Sequence, residues 1–163
     1  MGTIILLAIS FHKPLALAPH FRNNILINYY QILMKDMKVR LSTLWIFLMF
    51  NYLYCDVLSN MEADVLNELL SGEVAGMTMN DQFLLSAAIL MEIPIMMIVV
   101  ARLTKHKINR WANIIAGLFM ALVQVGSLFV GSGPNLHYAF YSAIEITTAL
   151  AIAWFAWNWK ESK

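Results

Sequence analysis

Residues 83–100, FLLSAAILMEIPIMMIVV, carry one charged side chain, Glu92, two positions before Pro94. A helix rises about 1.5 Å per residue and a bilayer's hydrocarbon core is about 30 Å thick, so an apolar run of this length reads as a membrane crossing. The rest of the chain agrees. Of its 163 residues 60% are hydrophobic and 13% charged, where a soluble domain has roughly 25% charged. Three more stretches have the required length and composition, which sets the helices at 41–58, 83–103, 111–130 and 137–157. The expected fold is all-α, a four-helix transmembrane bundle occupying residues 37–163, with no soluble domain to carry separate chemistry.

Cytoplasmic loops collect Lys and Arg near helix ends. Lys35, Lys38 and Arg40 precede helix 1, Arg102, Lys105, Lys107 and Arg110 lie between helices 2 and 3, and Lys160 and Lys163 come after helix 4. The 1–2 connection has no basic residue and carries Glu62, Asp64, Glu68, Glu73 and Asp81, while the GSGPN turn at 131–135 is uncharged. Both termini are therefore expected on the cytoplasmic side of a cell membrane. Trp45, Trp111, Trp154, Trp157 and Trp159 towards the inner side, and Tyr52 and Tyr54 towards the outer, read as interfacial anchors. The basic RLTKHKINR segment suits anionic lipid headgroups; nucleic acid is not expected as a partner of so short a loop against a membrane.

The N-terminal extension, residues 1–36, fits least well. MGTIILLAIS is short, Pro14 and Pro19 break up the residues after it, and MKDMKVRLSTLW reads as a normal basic start to an inward-facing helix. The expectation is that translation starts at Met34 or Met37, with the upstream residues a disordered tail or a mis-assigned start; a signal peptide cut after Ala18 is the alternative. In the 1–2 connection, Ser59 or Asn60 can cap a short helix in which Val65, Leu66, Leu69 and Leu70 recur at helical spacing and which Gly72 stops. That predicts an amphipathic helix on the outer surface, serving as a solvated acidic lid or gathering cations.

Inside the membrane, polar groups fall on stripes. Asn51, Tyr52, Cys55, Asp56 and Ser59 share one face of helix 1; Asn113, Gly117, Ala121, Gln124, Ser127 and Gly131 share one face of helix 3; Tyr138, Tyr141, Ser142, Glu145 and Thr148 share one face of helix 4. Glu92 is central in helix 2 and Glu145 a little outward of the middle of helix 4. A charge facing lipid at that depth costs at least about 2.5 to 3.5 kcal/mol, so both are expected to face the interior, with Asp56 and Gln124, in one cavity. No Lys or Arg lies between the helix ends to pair with them, and both are expected in the neutral form, hydrogen-bonded to Gln124, Tyr141 or the carbonyl that Pro94 leaves unpaired. Candidate ligand or proton-site residues are thus Asn51, Tyr52, Asp56, Glu92, Gln124, Tyr141 and Glu145. The single Cys55 excludes an internal disulfide. No phosphate loop, nucleophile elbow or HExxH occurs, and neither a metal nor a cofactor is expected. Gly117 and Ala121, four apart, permit close helix approach, either within the bundle or across a homodimer.

LSTLWIFLMFNYLYCDVLS, AAILMEIPIMMIV, NRWANIIAG and YSAIEITTALAIAWFAWNW together resemble an uncharacterised family of small prokaryotic membrane proteins, similar in outline to DoxX-like four-helix proteins. The resemblance covers residues 37–160 and implies a four-helix protein of the cytoplasmic membrane; it brings no activity or catalytic residue. The leading expectation is a non-enzymatic membrane protein whose acids are buried hydrogen-bonding structure or bind a small ligand. A proton-coupled carrier using Glu92 and Glu145, and an enzyme acting on lipid or quinone, are the alternatives.

Overall fold

The computed structural model describes residues 36–130 and 135–160, all within the unit Lys35–Lys163. The readings of the N-terminal extension and of the 131–134 turn lie outside the described residues. Four long helices form the bundle: α1 (Met37–Ser59), α3 (Asp81–Leu103), α4 (His106–Ser127) and α5 (Leu136–Trp157), each long and apolar enough to cross a membrane. The connection between α1 and α3 holds the short helix α2 (Ala63–Leu70) and a hairpin of β1 (Glu73–Val74) with β2 (Met77–Thr78).

Local chemistry sets the boundaries. Asp36 caps α1, its carboxylate accepting from the Lys38 N–H at 3.0 Å, and Asn80 caps α3 by accepting from the Phe83 N–H at 2.8 Å. Both helices therefore begin before their hydropathy does. α4 also starts earlier than hydropathy suggests, at His106, because its first turns are amphipathic: Asn109 is buried while Lys107 is exposed. The helix of the 1–2 connection is present, but neither expected cap serves it. Asn60 closes α1, its N–H bonding the Asp56 carbonyl, and α2 begins behind Glu62. Gly72, at φ 81°, ends α2 in the left-handed conformation that a glycine reaches without a Cβ clash. The hairpin was not anticipated. Its two-residue turn puts Ala75 at φ 48° and Gly76 at φ 77°, the positive pair that a tight hairpin requires.

Side-chain bonds between helix ends define an antiparallel bundle with a basic and an acidic end. At the basic end, the carbonyls terminating α3 and α5 lack partners within their own helices. Lys38 Nζ donates to the Thr104 carbonyl at 2.7 Å, Asn109 Nδ2 to that of Ala101 at 2.7 Å, and Arg110 to those of Ala156 and Trp157 at 3.2 and 2.9 Å. The cations thus also neutralise the negative ends of two helix dipoles. At the acidic end, His137 links the two sides of the α1–α5 contact: Nδ1 lies 3.2 Å from Glu62 Oε1 and Nε2 lies 3.2 Å from Ser59 Oγ.

The packed interior is bridged by a chain of buried amides. Trp45 Nε1 donates to Asn113 Oδ1 at 2.7 Å, and Asn113 Nδ2 donates to Asn109 Oδ1 at 2.7 Å and to its carbonyl at 2.8 Å. Trp45 is fully buried, so it is no interfacial anchor; the indole N–H needs a partner in apolar surroundings and finds it inside. Tyr52 is likewise buried, whereas Tyr54, Trp111, Trp154 and Trp157 face outward as expected. Gly117 packs within the bundle. A Cβ there would meet the Ala149 carbonyl at 2.9 Å and the Ala153 nitrogen at 3.3 Å, so the backbones of α4 and α5 touch where the side chain is missing.

Candidate functional site

A polar cluster occupies the half of the bundle nearer the acidic end, built by α1, α4 and α5. On α4 and α5 it is internally bonded. Gln124 Nε2 donates to Ser142 Oγ at 2.9 Å, the Tyr138 hydroxyl donates to Ser127 Oγ at 2.7 Å, and Ser127 Oγ donates to the Gln124 carbonyl at 2.7 Å. Each bond satisfies a polar group that hydrocarbon could not.

Glu145 breaks that pattern. Its side chain is 1% exposed, yet neither Oε1 nor Oε2 has a hydrogen-bond partner among the described residues, and the buried Tyr52 hydroxyl has none either. Tyr52, Cys55, Asp56 and Tyr138 all lie close enough to interact with it electrostatically. Leaving one buried polar group unpaired costs about 1–3 kcal/mol, more when charged. The expected bond to Gln124 is absent; the Gln124 amide donates to Ser142 Oγ on α5 instead. What remains is a carboxyl and a phenol hydroxyl, both covered and both with free hydrogen-bonding capacity.

The other candidates divide. Asp56 is exposed at the edge of the cluster, Asn51 is buried but spends its amide on the Phe47 carbonyl of its own helix at 2.8 Å, and Tyr141 is half-buried with its ring edge-on to Phe140. Asn109 and Ser142 belong to the interior networks although sequence reasoning did not count them as candidates. The signal for Asn109 was its place four residues before Asn113, on the stripe that continues through Gly117 and Ala121.

Glu92 is the correction. It is exposed, on the outer face of α3, and joins neither network. The buried positions of α3 are Pro94, Met97 and Ala101. At about 100° per residue, a side chain two positions before Pro94 points about 200° away from it, to the opposite side. Because α3 is apolar all round, hydropathy could not tell which side would be buried. With α3 unable to contribute and Asp56, also expected inside, exposed at the edge, Glu145 is the carboxyl that the cluster covers among the described residues.

The four apolar helices define a multi-pass helical membrane protein, and the cluster leaves it one covered, unpartnered carboxyl among the described residues. The chain belongs to the family of unknown function DUF6326, whose model matches residues 30–163. Among curated proteins and among solved structures, none matched the chain.

Proposed function

We propose that this protein is a non-enzymatic component of the cytoplasmic membrane that binds a small cation at Glu145, with both termini and the basic end on the cytoplasmic side. The observation that carries this reading is the pair of unpartnered, covered groups, the Glu145 carboxyl and the Tyr52 hydroxyl. Oxygen donors without a neighbouring Lys or Arg suit a cation better than an anion. The orientation rests on the Lys and Arg distribution between the two ends.

A ligand that binds only the folded state raises its stability as RT ln(1 + [L]/Kd), about 2.7 kcal/mol at a hundredfold excess over Kd. Thermal unfolding of the purified protein would be monitored from pH 5 to 9 with sodium, potassium or tetramethylammonium added. One of these is expected to raise the midpoint, more strongly at higher pH because protons compete for the same carboxyl, and to leave Glu145→Gln unmoved. Equal responses of the two proteins to every cation would overturn the proposal.

The exposed Asp56, within electrostatic reach of Glu145, favours a second reading, in which the two carboxyls pass a cation or proton between the cluster and the acidic side. Vesicles with an imposed pH gradient would then show cation flux that Glu145→Gln abolishes.

A further inference from the structure

The outer face of α3 is an apolar stripe with one carboxyl at its centre. Leu85, Ile89, Met96, Val99 and Leu103 are all exposed, and Glu92 stands midway along Asp81–Leu103. α3 is also the least covered of the four long helices: 11% of its apolar window is buried, against 39% to 44% for the others. A lipid-facing helix has reason to be apolar, but lipid cannot hydrogen-bond the carboxyl in its middle. Whatever covers this face must supply a polar group at the same depth.

We infer that a second copy of this chain covers it, the two α3 helices meeting about a two-fold axis along the membrane normal with their Glu92 carboxyls hydrogen-bonded to each other. Two copies inserted in the same orientation place identical residues at identical depths, so an isologous contact along this stripe sets Glu92 opposite Glu92 without further design. A protonated carboxyl donates its O–H to an oxygen of its twin, which satisfies both groups at once. Leu85, Ile89, Met96 and Val99 then interlock above and below the pair. The groove between α4 and α5 beside Leu118 and Leu150 offers no comparable reason for a partner, since it is lined almost wholly by apolar side chains.

Single cysteines introduced at Ile89 or Met96, on a Cys55→Ala background in native membranes, are expected to form disulfide-linked dimers on mild oxidation. A cysteine at Leu118 should not. Independently, dimer affinity measured in lipid bilayers by single-molecule photobleaching should fall by about tenfold in Glu92→Leu and change little in Glu92→Gln, whose amide retains a self-complementary pair. Leucine is compatible with a lipid-facing position, so the variant keeps its bundle. Cross-linking at Leu118 instead of the α3 face, or unchanged dimerisation of Glu92→Leu, would overturn the inference; the latter result would leave lipid as the occupant.

Discussion

A buried amide does different work according to where its hydrogen bonds go. Asn113 accepts from Trp45 on α1 and donates to Asn109 on its own helix, which in turn closes the end of α3, so two amides of α4 tie three helices. Asn51 bonds only its own helix. Interhelical bonds in membranes are worth about 0.6 kcal/mol on average and up to about 1.7, and an orphaned buried donor adds about 1–3. Asn113→Ala is therefore expected to cost about 2–3 kcal/mol and Asn51→Ala about 0.5 or less, read as the difference in reversible unfolding in mixed micelles. Comparable losses at the two positions would contradict the bonding described. The stripe around Asn113 was legible from its spacing; the partner of its side-chain carbonyl was not, because Trp45 looked equally suited to an interface.

At the scale of elements, close packing makes two glycines of α4 opposites. Gly117 lies against the Ala149 carbonyl, and a side chain there must push α5 away. Gly126 has nothing within 4 Å of an added Cβ. Gly117→Val is expected to destabilise the protein by about 2 kcal/mol or more through overpacking, whereas Gly126→Ala should be neutral or stabilising by about 0.5 kcal/mol through helix propensity. Thermal midpoints of the two variants in the same detergent would decide, and a Gly117→Val protein as stable as its parent would show that the helices part easily. Small residues four apart signalled a close approach in the sequence. That the neighbour is α5 of the same chain emerged only from the folded bundle.

For the whole molecule, the division into a basic and an acidic end has two consequences that one set of residues serves together. Lys38 and Arg110 cap helix carbonyls, and under the proposed orientation the positive-inside bias of the same charges would hold that end in the cytoplasm. On a Cys55→Ala background, a membrane-impermeant maleimide should label Glu73→Cys in intact cells and label Asn158→Cys only after permeabilisation. Both positions are exposed, so lack of labelling would report sidedness rather than burial. The reverse pattern would invert the orientation while leaving the bundle unchanged.

By itself the sequence determined, among the described residues, the four helices long and apolar enough to cross a membrane, their approximate limits, the polarity of the two ends and the amphipathic helix between α1 and α3, because each depends on composition along the chain and on the energy of apolar groups in lipid. The short hairpin escaped it, since Ala75 is not a residue that advertises a positive φ. Only the tertiary structure decided which face of each helix turns inward. For α4 and α5 a polar stripe already marked that face, and Gln124 and Glu145 went where it pointed. For α3 nothing did: an apolar helix can bury any side, and packing through Pro94, Met97 and Ala101 carried Glu92 to the outside.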